Sequence, residues 1–185
     1  MRKFLVLLTS FAVMTVLGGI AAGSSDGHVV KIVGHGIFKR NALVAETLRF
    51  QPGAIWVQSG ARVRWVKADD NSDPHTITIV NRSDRPNTFD EVFGCGQDPT
   101  DVCSTAGAAH FPNGFGQPPV VVRVDPDSTK GLDRPGDSLF LCPNFDPQQG
   151  CSHGSISEVV SAHAGTTLYY ICIIHPWMQG TIHVV

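Results

Sequence analysis

Short stretches in which apolar and polar residues alternate, parted by glycine, proline or polar clusters, run through most of the chain. A period of two sends successive side chains to opposite faces, the mark of half-buried strands. His28 to Val33 and Leu43 to Phe50 predict two early strands, with Gly34 and Gly36 breaking between them. Ala54 to Gln58 and Ala61 to Lys67 predict two more, separated by Ser59-Gly60, a tight-turn signal, with Val63 and Trp65 pointing inward. His75 opens a cleaner case, in which Ile77 and Ile79 share one face and Thr76 and Thr78 the other. Val120 to Val124, Asp137 to Cys142, Ser155 to Val160, Thr166 to Ile171 and Gly180 to Val185 complete the series. No long helical period intervenes, so the pattern predicts an all-β fold, an antiparallel Greek-key β-sandwich.

The middle of the chain, Asn81 to Gly136, departs from this rhythm. Thr88-Phe89-Asp90-Glu91 has the spacing of a capping box, and Asp98-Pro99-Thr100-Asp101 puts a proline at a first helical turn. Two short helices are expected there, pinned by Cys95 and Cys103, followed by Gly/Pro-rich chain from Phe111 to Pro119. The polar loop Asp69 to Asp73 is dense in oxygen ligands, but it lacks the ordered spacing and terminal Glu of an EF-hand.

At the start, Arg2 and Lys3 precede an apolar run from Phe4 to Leu17 and then small residues to Gly23, the layout of a secretory signal over residues 1–23. The apolar run is short for a membrane span. Residues 24–185 then form a single domain, large enough for its own core. Removing the signal takes two of the 14 basic residues and none of the 16 acidic ones, for a net charge of −4. Mild acidity without a basic cluster argues against nucleic acid and against adhesion to anionic lipid.

Five cysteines are an odd number, so in an oxidising compartment one stays unpaired. The local pairings are Cys95 with Cys103 and Cys142 with Cys151, leaving Cys172, although spacing alone does not establish connectivity. A lone thiol in a secreted protein is a hazard unless something occupies it. Tyr169 to Gly180 suggests what: Cys172, His175 and Met178 lie within seven residues, directly after a buried-strand pattern. Were the strand to continue, Cys172 and His175 would stand about 10 Å apart, too far to share an ion. Pro176 and Gly180 are where the chain is expected to leave the sheet and double back. Thiolate, imidazole and thioether together favour copper, and a blue-copper site needs a second His. His75, at a rigid strand start after Pro74, is the candidate. The other six histidines, His28, His35, His110, His153, His163 and His183, show no matching spacing, and His183 is expected to face solvent.

At these residues the sequence resembles the cupredoxins, the single-domain type 1 copper proteins. The spacing from Cys172 through His175-Pro176 to Met178 is most like the short ligand loop of amicyanin. Phe50-Gln51-Pro52, Ile55 to Gly60, Val63 to Val66 and Asp73-Pro74-His75-Thr76 also match family pattern, so that the resemblance covers about 48–80 and 154–185. Residues 82–136 then read as an insertion, either a stapled surface cap or a partner-recognition element. The resemblance implies one type 1 copper held by His75, Cys172, His175 and, axially, Met178. It implies a monomeric one-electron carrier, not an enzyme, working between redox protein partners in a secreted or periplasmic setting, with the edge of His175 as electron port and Trp177 on its apolar rim. The family most often has Asn after the first His, where this chain has Thr76; Thr76 keeps the backbone N–H toward the sulfur and a hydroxyl, so a shifted potential is expected. Two rivals use the same chain differently: a copper storage or delivery module, and an extracellular sandwich for adhesion with a non-redox role.

Overall fold

The computed structural model describes residues 27–114, 117, 121–142, 145–146, 148–151 and 153–185. The expected signal segment lies outside them. Twelve strands are described: β1 (His28–Val33), β2 (Gly36–Lys39), β3 (Leu43–Glu46), β4 (Arg49–Gln51), β5 (Ala54–Val57), β6 (Arg62–Lys67), β7 (Thr76–Val80), β8 (Arg123–Val124), β9 (Ser138–Phe140), β10 (Ser155–Val159), β11 (Thr167–Ile171) and β12 (Gln179–Val184). They form a four-stranded sheet in the order β10-β6-β1-β4 and a six-stranded sheet in the order β5-β12-β11-β7-β9-β8, with β2 and β3 as a separate hairpin. The expected β-sandwich is present, with most pairings antiparallel; β1 with β6 and β5 with β12 run parallel.

Period two explains the core. Val30 and Ile32 of β1, Val63 and Trp65 of β6 and Ile156 of β10 face Ile55 and Val57 of β5, Ile77 and Ile79 of β7, Leu168 and Tyr170 of β11 and Ile182 and Val184 of β12. The Tyr170 ring meets Phe50 edge-on at 4.8 Å and Trp65 at 6.0 Å. An aromatic ring buries roughly 150–250 Å², so at about 25 cal/mol per Å² the fully buried Trp65 contributes on the order of 4–6 kcal/mol of transfer free energy.

The structure corrects several local expectations. Leu43–Phe50 is not one strand but two, β3 and β4, and Gly36 opens β2 instead of ending a strand. Gly34, at φ 135°, provides the break. The turn at Ser59-Gly60 does not close a hairpin, because β5 and β6 belong to different sheets. A strand alternating on one buried face looks the same whichever sheet it joins. Gly180 is not where the chain leaves the sheet: it lies within β12 opposite Tyr170, and a Cβ there would collide with the Tyr170 ring.

The insertion carries a 3-10 turn at Arg82–Asp84 and two helices, α1 (Phe89–Gly94) and α2 (Val102–His110). Helix α1 begins as expected, with the Thr88 hydroxyl accepting from the Glu91 amide at 3.2 Å and the Glu91 carboxylate accepting from the Thr88 amide at 3.2 Å. Helix α2 does not begin at Pro99; Asp101 caps it, accepting from the Ser104 amide at 2.7 Å. Cys95–Cys103 and Cys142–Cys151 are both disulfides. Cys103 and Ala106 pack on Val80, Ile171 and Ile173, so α2 covers the outer face of the six-stranded sheet beside the turn that follows β11. For that reason β7 is buried at all five positions, and Thr76 and Thr78 do not face solvent as an alternating strand would suggest. His183 is half-buried, its ring stacked on Trp56 at 4.8 Å. Of the strand expected over Val120 to Val124 the structure shows Arg123–Val124; residue 120 lies outside the described residues.

Candidate metal centre

Strand β11 ends at Ile171 and hands Cys172 to a tight turn before β12 returns antiparallel beside it. Two backbone bonds hold that turn: the Cys172 amide donates to the Met178 carbonyl at 3.1 Å and the Met178 amide to the His175 carbonyl at 2.8 Å. The doubling-back draws His175 to Cys172, with Nδ1 to Sγ at 3.7 Å. His75 arrives from the neighbouring strand, since β7 pairs with β11, and its Nδ1 lies 3.9 Å from the same sulfur. The two imidazole rings stand 5.0 Å apart at 44°. His75 and Cys172 are wholly buried and His175 is 5% exposed. Met178 is also fully buried and belongs to the core cluster that contains Cys172.

The three donor atoms lie within 4.8 Å of one another. Nitrogen and sulfur bonded to one ion at the lengths His and Cys make to zinc, about 2.0 and 2.3 Å, would at a trigonal angle stand about 3.7 Å apart. The observed 3.7 and 3.9 Å fit that separation, and the donor set is soft. Cys172 is the free cysteine of the five, which leaves its sulfur available.

Surrounding groups prepare the ligands. His75 Nε2 lies 3.0 Å from Asp69 Oδ2, which as a carboxylate accepts, so the ring carries a proton on Nε2 and turns Nδ1 toward the sulfur. Asp69 is in turn paired with Lys67, and both side chains are fully buried. Burial alone would favour a neutral Asp69; hydrogen bonds from His75 and Lys67 outweigh it and hold the carboxyl below its usual range. In the metal-free chain burial pulls His75 down, but Asp69 and Cys172 bring it up to about 9. Burial likewise pushes the Cys172 thiol up, and the bonds and charge from His175 and His75 reverse this, bringing it down to about 5. The sulfur is therefore a thiolate at neutral pH, which is the form that binds metal. The Thr76 amide donates to it at 3.4 Å, and the Thr76 hydroxyl accepts from the Ile173 amide at 2.9 Å. Thr76 thus ties the two ligand segments together.

Behind Thr76 runs a buried polar chain. Its hydroxyl meets Thr78 Oγ1 at 3.2 Å, Thr78 meets Ser138 Oγ at 2.7 Å, and Ser138 meets His110 Nε2 at 2.8 Å. His110, the last residue of α2, donates from Nδ1 to the Val121 carbonyl at 2.6 Å. Burial lowers its basicity, with the Val121 carbonyl opposing. On the outward side, His175 Nε2 lies 3.5 Å from Asp73 Oδ2 and 3.8 Å from Glu46 Oε2 of β3. The Trp177 ring packs edge-on to His175 at 5.2 Å and is 38% exposed.

The structure brings together His75, Cys172 and His175, residues separated by up to 100 positions, and buries Met178 beside them. Sequence reasoning missed Asp69 and Lys67. Their signal was present, as an Asp six residues before a candidate ligand His, but two charges at a strand end usually read as a solvated loop. Ser138 and His110 carried no signal, because only the packing of α2 makes them neighbours of β7.

No protein-family model matches the chain, and no curated protein does. Among solved structures, it is similar to a purple cupredoxin from Nitrosopumilus maritimus, at 14% identity over 85% of this chain and 99% of that one, with a TM-score of 0.40. It is also similar to a dithionite-reduced auracyanin from Roseiflexus castenholzii, at 15% identity over 85% and 96% of the two chains, TM-score 0.41. For amicyanin from Paracoccus versutus the figures are 12%, 89%, 87% and 0.36. At such identities and scores the likeness says nothing of this chain's chemistry.

Proposed function

We propose that this chain is a mononuclear type 1 copper protein that carries single electrons between redox partners, outside the cytoplasm. His75, Cys172, His175 and Met178 would hold the ion. The observation that carries this reading is the meeting of the Cys172 sulfur with two Nδ1 atoms at 3.7 and 3.9 Å inside a rigid sandwich. Bound copper supplies a change of one electron between Cu(II) and Cu(I).

Everything else falls to the chain. The strand end at His75 and the turn at Cys172–Met178 fix the donors before any ion arrives, so little has to reorganise on electron exchange. The Thr76 amide draws charge from the sulfur, favouring the reduced state, while Asp69 makes His75 a stronger donor and favours the oxidised one. Burial of His75, Cys172 and Met178 excludes water and leaves the edge of His175, beside Trp177, as the path to a partner. A site that shows solvent an imidazole edge, not an open coordination position, supports electron carriage over substrate chemistry. Two disulfides support an oxidising compartment.

Adding Cu(II) to purified metal-free protein tests the reading. The expected result is an intense blue thiolate charge-transfer band, abolished by Cys172→Ser and bleached and restored by a small reductant and oxidant. A colourless mixture rejects the site, and a blue protein that exchanges electrons slowly would mark a storage module instead.

A further inference from the structure

A second group of oxygen ligands lies outside this centre, where the insertion returns to the six-stranded sheet. Asp125, Asp127 and Asp137 bring carboxylate oxygens within 4.8 Å of one another. Thr129 and Asp133 join them, the Thr129 hydroxyl donating to Asp127 at 3.0 Å and to Asp133 at 3.1 Å. Asp125, Asp127, Thr129, Asp133 and Asp137 sit at positions 1, 3, 5, 9 and 13 of a continuous loop. Calcium loops of the EF-hand type draw ligands from positions 1, 3, 5, 7, 9 and 12. This one is a residue longer, and Lys130, at its sixth position, has φ 61°, the left-handed turn such loops make there.

The decisive observation is Asp137. It is 1% exposed; Oδ2 accepts the Asp133 and Arg134 amides at 2.8 and 3.1 Å, while Oδ1 is buried with no hydrogen-bond partner. An orphaned, buried carboxylate oxygen costs free energy unless something positive meets it. Burial, with the negative charge of Asp133 and Asp125, raises the Asp137 carboxyl above its ordinary range despite those two amides.

We propose that the loop Asp125–Asp137 is a calcium site, with Asp137 as its inner ligand and Asp125, Asp127 and Asp133 closing over it from the surface. A loop of unevenly spaced carboxylates suits the six to eight flexible bonds of Ca²⁺ better than the strict octahedron of Mg²⁺. Arg134, which bonds Asp133 at 2.7 Å and pairs with Asp127, holds two of the carboxylates in the metal-free chain and gives way on binding. The site would clamp the insertion to β7, because the Ile79 amide donates to the Asp137 carbonyl at 2.8 Å and the Gly136 amide to the Ile79 carbonyl at 2.9 Å.

The test is calorimetric titration of chelator-treated, full-length protein with CaCl₂ and, separately, MgCl₂, with thermal melts alongside. One Ca²⁺ per chain, several-fold weaker binding of Mg²⁺ and a Tm raised by several degrees are expected. Asp127 is exposed, Asp125 is half-buried, and Asn keeps the size of both, so Asp125→Asn with Asp127→Asn should leave the fold intact and weaken Ca²⁺ binding at least tenfold. Arg134→Gln should strengthen it. No heat and no Tm change in folded wild-type protein at about 10 mM Ca²⁺, well above the millimolar Kd of weak extracellular sites, overturns the proposal. So does undiminished binding in the double variant.

Discussion

Thr76 decides more than its size suggests, because the atoms it bonds belong to both ligand segments and to the polar chain behind them. Thr78→Val keeps the shape of the next link and removes its hydroxyl, so Thr76 loses a partner while the core stays filled. The Ile173 amide should then exchange faster by hydrogen-exchange NMR in the metal-free protein, and the copper potential should fall as the Thr76 N–H···S contact loosens. Thr78→Ser, which keeps the hydroxyl, should restore both. Asp69→Asn should weaken copper binding about 10–100-fold, as expected when the partner of a ligand His is removed, and chelator competition measures it. His110 carries a pH signature. Burial depresses its basicity, so below the ordinary value of 6.5 the unfolded chain takes up a proton that the folded one refuses, and stability falls as pH falls. Urea melts from pH 7.5 down to 5.5 should show that slope, and His110→Gln should flatten it.

At the scale of elements, alternation found nearly every strand of the sandwich and the turn chemistry found α1. Where it failed, the competing influence was always a neighbour from elsewhere in the chain. Leu43–Phe50 reads as one strand because its apolar period is continuous, yet the hairpin β2–β3 and strand β4 pair with different partners. Alternation puts Thr76 and Thr78 on the face opposite Ile77 and Ile79, and α2 covers that face. Gly180 read as a turn residue, whereas its missing side chain makes room for Tyr170. The candidate donors stand out in the sequence because soft donors are rare and their spacing is chemical; the carboxylates beside them and the Asp125–Asp137 loop do not, because acidic residues are common in loops. The staple in the insertion has its own test. Replacing Cys95 and Cys103 with Ala opens a loop of 8 residues, at an expected cost of about 2–3 kcal/mol. Since Cys103 belongs to α2 and packs on Val80, Ile171 and Ile173, denaturant melts should show that loss while the blue band persists in the folded fraction.

For the molecule as a whole, His75 comes from the middle of the sequence, while the other proposed ligands lie in its last turn and are carried there by β11 and β12. A chain still being synthesised, or cut short before residue 172, carries one of the four proposed ligands and cannot complete the proposed site. Completion of the proposed site therefore follows closure of the sandwich, which brings β7 beside β11. Refolding rates measured with and without Cu(II) should accordingly coincide, with colour developing in a separate, later phase.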